Sequence, residues 1–173
     1  MVWMRILVTA QWLLDETGSA YLVGLIGVVQ LVVQVPVTLW AGTLADRVDR
    51  KRLMSFAHAA TAMALLTLGI LNWQDMLTPV LVYTGIAITA ATHMLASPAR
   101  SALLPIIIPE RELMLAASTD TASSNAAAIA GPLIFAIVAV TANLTAVFIL
   151  AGSISLISSL LPQFIRAKGV AAG

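Results

Sequence analysis

The stretch Gly42-Thr43-Leu44-Ala45-Asp46-Arg47-Val48-Asp49-Arg50-Lys51-Arg52 gathers two carboxylates and four basic side chains into a short segment. On either side of it charge all but disappears. Tyr21 to Ala45 carries no charged residue, and Leu53 to Asn72 carries only His58. A helix rises about 1.5 Å per residue, so about 20 apolar residues cross a hydrocarbon core of roughly 30 Å. Each flanking run is long enough, and the charged stretch reads as an aqueous junction between two membrane spans.

Further spans follow on both sides. Met76 to Ala99 holds only His93, and Leu144 to Ile165 holds no ionisable residue. Another segment is apolar from about Thr121 to Val140, with Asp120 at its mouth. Met1 to Leu14 is apolar apart from Arg5, Thr9 and Gln11 but reaches only about 21 Å as a helix, so it reads as the back half of a span. A secretory signal peptide is the competing reading, yet no small-residue cleavage site follows, and Asp15-Glu16 comes directly after. The prediction is an all-α polytopic bundle of six spans, at 1–14 (cut short), 21–45, 53–72, 76–99, 113–140 and 144–165, with 166–173 beginning a cytoplasmic linker. The joining segments are too brief for a second domain.

Composition excludes the alternatives. Hydrophobic residues make up 60%, charged residues 10%, and the mean hydropathy is +0.98, where soluble domains average roughly 45–50% apolar and about 25% charged. A soluble core cannot hide that much apolar surface. A net charge of +1, with no basic stripe, gives no footprint for nucleic acid. The absence of cysteine removes disulfides, thiolate metal sites and cysteine nucleophiles. No metal-ligand spacing, nucleophile elbow or phosphate-binding glycine loop occurs, so neither an enzyme nor a cofactor is expected.

If the loops alternate sides, 46–52, 100–112 and the tail after Ile165 share one face. That face holds Arg47, Arg50, Lys51, Arg52, Arg100, Arg111, Arg166 and Lys168, which is every Lys and Arg except Arg5. The opposite face holds Asp15, Glu16 and Asp75 and no base. Basic loops stay on the cytoplasmic side, so the prediction is a multi-pass membrane protein with this face in the cytoplasm.

Several residues are out of place in lipid. Pro36 and the pair Gly131-Pro132 lie late in spans 2 and 5, matched positions in two successive triplets of spans. An inverted three-plus-three repeat would break helices at such places, and a simple packing kink is the plainer account. The small residues Ala122, Ser123, Ser124, Ala126, Ala127, Ala128, Ala130 and Gly131 predict close helix packing by span 5. Gln30 and Gln34, one turn apart, share a face that serves either a helix contact or a watery path. An ionisable side chain costs about 2.5–3.5 kcal/mol at the centre of a span and normally faces a polar interior. Arg5 and His93 are therefore candidates for a cavity or for ion coupling, with Asp120 and Asn125. Arg5 can alternatively snorkel, and His93, flanked by Thr89 and Ser97, can serve as a structural hydrogen-bond partner. His58, near the basic end of span 3, is expected at the interface.

The opening stretch resembles the signature of the major facilitator superfamily, Gly-x-x-x-Asp-Arg-x-Gly-Arg-basic-basic, at the same junction and on the cytoplasmic side. A positive-inside stop would account for the arginines but not for Gly42 and Asp46. Asp46 and Arg50 lie one helical turn apart, and Gly42 admits a close neighbour. The resemblance implies that Gly42, Asp46, Arg47, Arg50, Lys51 and Arg52 form a conformational switch. Asp49 stands where the family has glycine, a departure shared with the branch of enterobactin exporters and macrolide effluxers. Pro98-Ala-Arg100-Ser-Ala-Leu-Leu104-Pro105, Pro109-Glu-Arg-Glu-Leu113 and Asn125 before Gly131-Pro132 are similar to the same branch. Gly131-Pro132 resembles the antiporter motif of span 5, but Phe135, Ala136, Ala127 and Ser118 replace its other glycines, and no arginine lies near Gly85.

The resemblance implies twelve spans in a complete member, with spans 1 and 4 lining a central cavity and spans 3 and 6 outside. This chain would then be the N-terminal half of an ion-coupled exporter of small hydrophobic or amphipathic compounds, such as a siderophore, drug or macrolide. Its expected partners are membrane lipid, the substrate and the missing C-terminal half. The rival reading is a self-sufficient six-span protein acting as a homodimeric half-transporter or small channel.

Overall fold

The computed structural model describes residues 2–164, and their side chains outside 43–47, 99, 101–107, 110 and 164. Asp46, Arg47 and the linker at 166–173 therefore lie outside what is described. The chain forms α1 (Val2–Thr17), α2 (Ala20–Arg47), α3 (Arg50–Trp73), α4 (Pro79–Ile107), α5 (Leu113–Thr141) and α6 (Leu144–Leu160), with short 3₁₀ turns at Glu110–Glu112 and Leu161–Phe164. Five of the helices, α2 to α6, are long and apolar enough to cross a membrane.

Local chemistry sets the helix ends. Gly18 closes α1 at φ +63°, its N–H reaching Leu14 O at 2.8 Å, a left-handed turn that glycine adopts freely. Asp49, the residue that replaces the signature glycine, caps α3 by accepting from the Lys51 N–H at 2.9 Å. Asn143 caps α6 through the Ala146 N–H at 2.8 Å. A cap of this kind contributes about 1 kcal/mol.

The pairing of helices has an internal symmetry. α3 packs along α6, α2 lies against α4, and α1 lies against α5. Exchanging the first three helices with the last three converts the α1–α5 pair into α4–α2 and leaves α3–α6 unchanged, as an inverted repeat requires. Phe148, Leu13, Val8, Val82 and Val147 are fully buried where α1, α3, α4 and α6 converge. At the end of the bundle opposite the basic loops, Trp12 Nε1 donates to Asn72 Oδ1 at 2.6 Å and Asn72 Nδ2 donates to Thr145 Oγ1 at 2.7 Å, tying α1, α3 and α6 together.

Two expectations need correction. Pro36 and Gly131-Pro132 do not break their helices: α2 and α5 run through them. A proline removes one backbone bond, and with no water in lipid to take up the remaining groups the helix is the only way to satisfy them. The small-residue run of α5 does not mediate packing within this chain either. Residues 121–127 are exposed, and only Gly131 is buried, against Trp3 and Met4 of α1. Close approach occurs elsewhere. A Cβ at Gly152 would stand 2.7 Å from Leu66 Cγ, and one at Gly69 would stand 3.1 Å from Phe148 Cβ, so glycines on both helices bring α3 and α6 together.

Candidate functional site

A cavity of about 70 Å³ lies between α1, α3, α4 and α6. Arg5, His58 and His93 face it from α1, α3 and α4, and Ser155 and Ser158 face it from α6. Apolar side chains such as Leu65, Ala57 and Ala96 complete the wall. A water needs about 10–15 Å³ measured this way, so the space holds several. An adjoining cavity of about 250 Å³ shares His58, His93 and Ala96 and continues to Arg100 and Asp120 near the basic end of the bundle.

Arg5 is anchored, not snorkelling. Its Nη1 donates to Thr89 O at 2.6 Å. Thr92 Oγ1 donates to the same carbonyl at 3.1 Å and therefore accepts from Thr61 Oγ1 at 2.7 Å. A threonine hydroxyl has one proton to give, which fixes the direction of this α3-to-α4 bond. The chain Thr61, Thr92, Thr89 O, Arg5 thus links α3, α4 and α1 by hydrogen bonds along the cavity wall.

The remaining candidates separate. His58 faces the bundle interior, lining both cavities with His93. α3 and α4 run antiparallel about the turn near Met76, and the two histidines lie nearly equidistant from it, so the hairpin sets them at similar depth. That equal spacing was the available signal. Asp120 pairs with Arg100, joining α4 to α5. Gln30 and Gln34 are half-buried, and Gln30 lines a small space of about 10 Å³ beside Arg5 and Thr9. Asn125 and Gly42 are exposed, and a Cβ at Gly42 would meet nothing within 4 Å. A Cβ at Gly85 would lie 2.6 Å from Leu68 Cδ1, so α4 passes too close to α3 there for a large side chain. Among the described residues no group of His, Asp or Glu is arranged to hold a metal. The resemblance puts spans 3 and 6 outside the central cavity, yet α3 and α6 supply part of this wall, because the space lies within the half-bundle.

Six helices in an inverted pairing, five of them long and apolar enough to cross a membrane, define a polytopic membrane bundle. The Major Facilitator Superfamily profile matches residues 1–170, and the chain belongs to that superfamily as a multi-pass membrane protein. It is 27% identical over 135 residues to a protein of Planococcus maritimus described as a Na(+), Li(+), K(+)/H(+) antiporter, a match covering 78% of this chain and 32% of that protein. The chain thus spans about a third of the length of that curated relative. No solved structure gives a significant match.

Proposed function

We propose that this chain forms the N-terminal six-helix half of a secondary active transporter of the bacterial inner membrane. It works by alternating access against a second half, with the basic loops in the cytoplasm. The observation that carries this reading is uneven covering. In α3, α4 and α6, 33% of the most apolar window is buried, against 6% in α2 and α5. Lipid alone would suit large apolar side chains, but the exposed face of α5 at 121–127 is Ala, Ser, Thr and Asn, a surface made for a closely packed helix. The second half supplies that helix; a second copy of this chain is the alternative partner.

The cargo in this reading is a small hydrophobic or amphipathic compound, exported in exchange for an ion, as in the enterobactin and macrolide branch that the Asp49 variant of the signature resembles. Alkali-cation exchange for protons, the activity in the relative's description, is the second reading, and Asp120 in the adjoining cavity is its described carboxylate. His93 is the coupling residue of this half: its ordinary pKa near 6.5 puts a charge change within physiological pH, and that change biases one access state against the other. Gly42, Asp46 and the following bases act as the latch to the opposite half.

Export by proteoliposomes of the complete transporter, measured from about pH 5.5 to about pH 8 across the range in which histidine titrates, tests the coupling role. The wild type and His93→Gln should differ in pH profile; superimposed profiles would make His93 structural. Cysteines at Ser19 and Asn143 should react with an impermeant thiol reagent from outside, and one at Lys51 should not. Outside labelling at Lys51 would reverse the orientation.

A further inference from the structure

The cavity within the half-bundle holds the Arg5 guanidinium without a described counter-charge. Arg5, His58 and His93 face it together, while α6 adds only the hydroxyls of Ser155 and Ser158. No described carboxylate lines it. Following the adjoining cavity outward, the first acid met is Asp120, already paired with Arg100, which brings a further cation. α2 contributes Gln30, neutral, on the far side of Arg5.

A guanidinium does not lose its proton in a protein, and a charge drawn out of water is costly without a counter-charge. The partner seen for Arg5 is the Thr89 carbonyl, a neutral dipole. The Arg100–Asp120 and Arg111–Glu112 ion pairs do not involve it.

We propose that the cavity holds a small monovalent anion, in the range from halide to acetate, against Arg5, His93 and His58. The space beside Arg5, about 70 Å³, admits such an ion with a water or two, each needing about 10–15 Å³. The donors are at hand. Ser155 and Ser158 now bond carbonyls one turn back in α6, at 2.9 and 2.8 Å, and their hydroxyls turn toward the cavity by rotation about χ1. The apolar remainder of the wall lowers the local dielectric and strengthens each charged contact. Protonation of either histidine adds positive charge beside the anion, so anion and proton strengthen each other's binding by linkage. The site does not depend on the identity of the cargo and stands or falls apart from the exporter reading.

Binding of radiolabelled chloride to the complete protein in detergent, with gluconate holding ionic strength constant, is the test. The wild type should bind chloride saturably, more weakly at about pH 8 than at about pH 5, a span wide enough to take in histidine titration. Arg5→Gln should weaken binding by about tenfold or more, the cost of one charge-assisted hydrogen bond, and Arg5→Lys should restore most of it. Competition by bromide and acetate alike identifies a site for any compact single charge, including a cargo carboxylate; competition by bromide alone identifies an inorganic halide site. Absence of saturable binding in the wild type, or full binding in a monodisperse Arg5→Gln protein, overturns the proposal. If Arg5→Gln does not fold, the wild type decides, because an affinity unchanged between the two pH values overturns it as well.

Discussion

Two sets of helices in this chain are about equally apolar and differ in what covers them. α3, α4 and α6 bury a third of their most apolar window inside the chain; α2 and α5 bury almost none. Hydropathy does not separate them, since lipid and protein interior are both apolar solvents for a side chain. The difference lies in how closely backbones meet. α3 and α6 touch through Gly69 and Gly152, whereas α5 presents its small residues outward.

Loss of the fold should come from filling the close contact. Gly152→Leu places a Cβ 2.7 Å from Leu66 Cγ and 3.2 Å from the Leu66 backbone N, and backbone cannot yield as a side-chain tip can. Overpacking typically costs about 1–3 kcal/mol, and here the expected result is loss of the monodisperse peak in detergent size-exclusion chromatography. A normal peak would mean that α3 and α6 are not held this closely. Ala126→Leu, an enlargement on the exposed face of α5, should leave this half folded but impair transport by the complete protein.

A second test compares deletions across the same divide. Phe148→Ala removes a fully buried ring and should destabilise by about 3–5 kcal/mol. Ile129→Ala, at a position 75% exposed in this chain, should shift stability by no more than about 0.5 kcal/mol. Unfolding of this six-helix chain in mixed micelles measures both, and comparable losses would erase the distinction between the two sets. In the complete protein, a larger Ile129→Ala effect would show that a second half covers α5.

A local change concerns the signature itself. Asp49→Ala removes the cap of α3 and should cost about 1 kcal/mol, while Asp49→Ser should recover most of it. Amide exchange at Lys51 and Arg52 reports the fraying directly. An unchanged exchange rate in Asp49→Ala would mean that the carboxylate does not cap the helix. At φ −55° and ψ 115° the Asp49 backbone is open to any residue, so what this position adds over glycine is the side-chain cap of α3.

The number and order of the helices were legible in the sequence, because the need to satisfy every backbone group in lipid turns each long apolar run into a helix, whereas α4 continues to Ile107 through a stretch expected to be loop. So were the matched positions of α2 and α5, and Arg5 and His93 as charges out of place. The convergence of His58 with His93 and Arg5, the bond from Arg5 to Thr89, and the choice of Gly69 and Gly152 over the small residues of α5 as the tight contact were decided by tertiary structure. A span's hydropathy measures its affinity for an apolar medium and is the same whether lipid or another helix provides it. Which face meets which neighbour depends on the rotation of each helix about its axis, and only the packed bundle sets that angle.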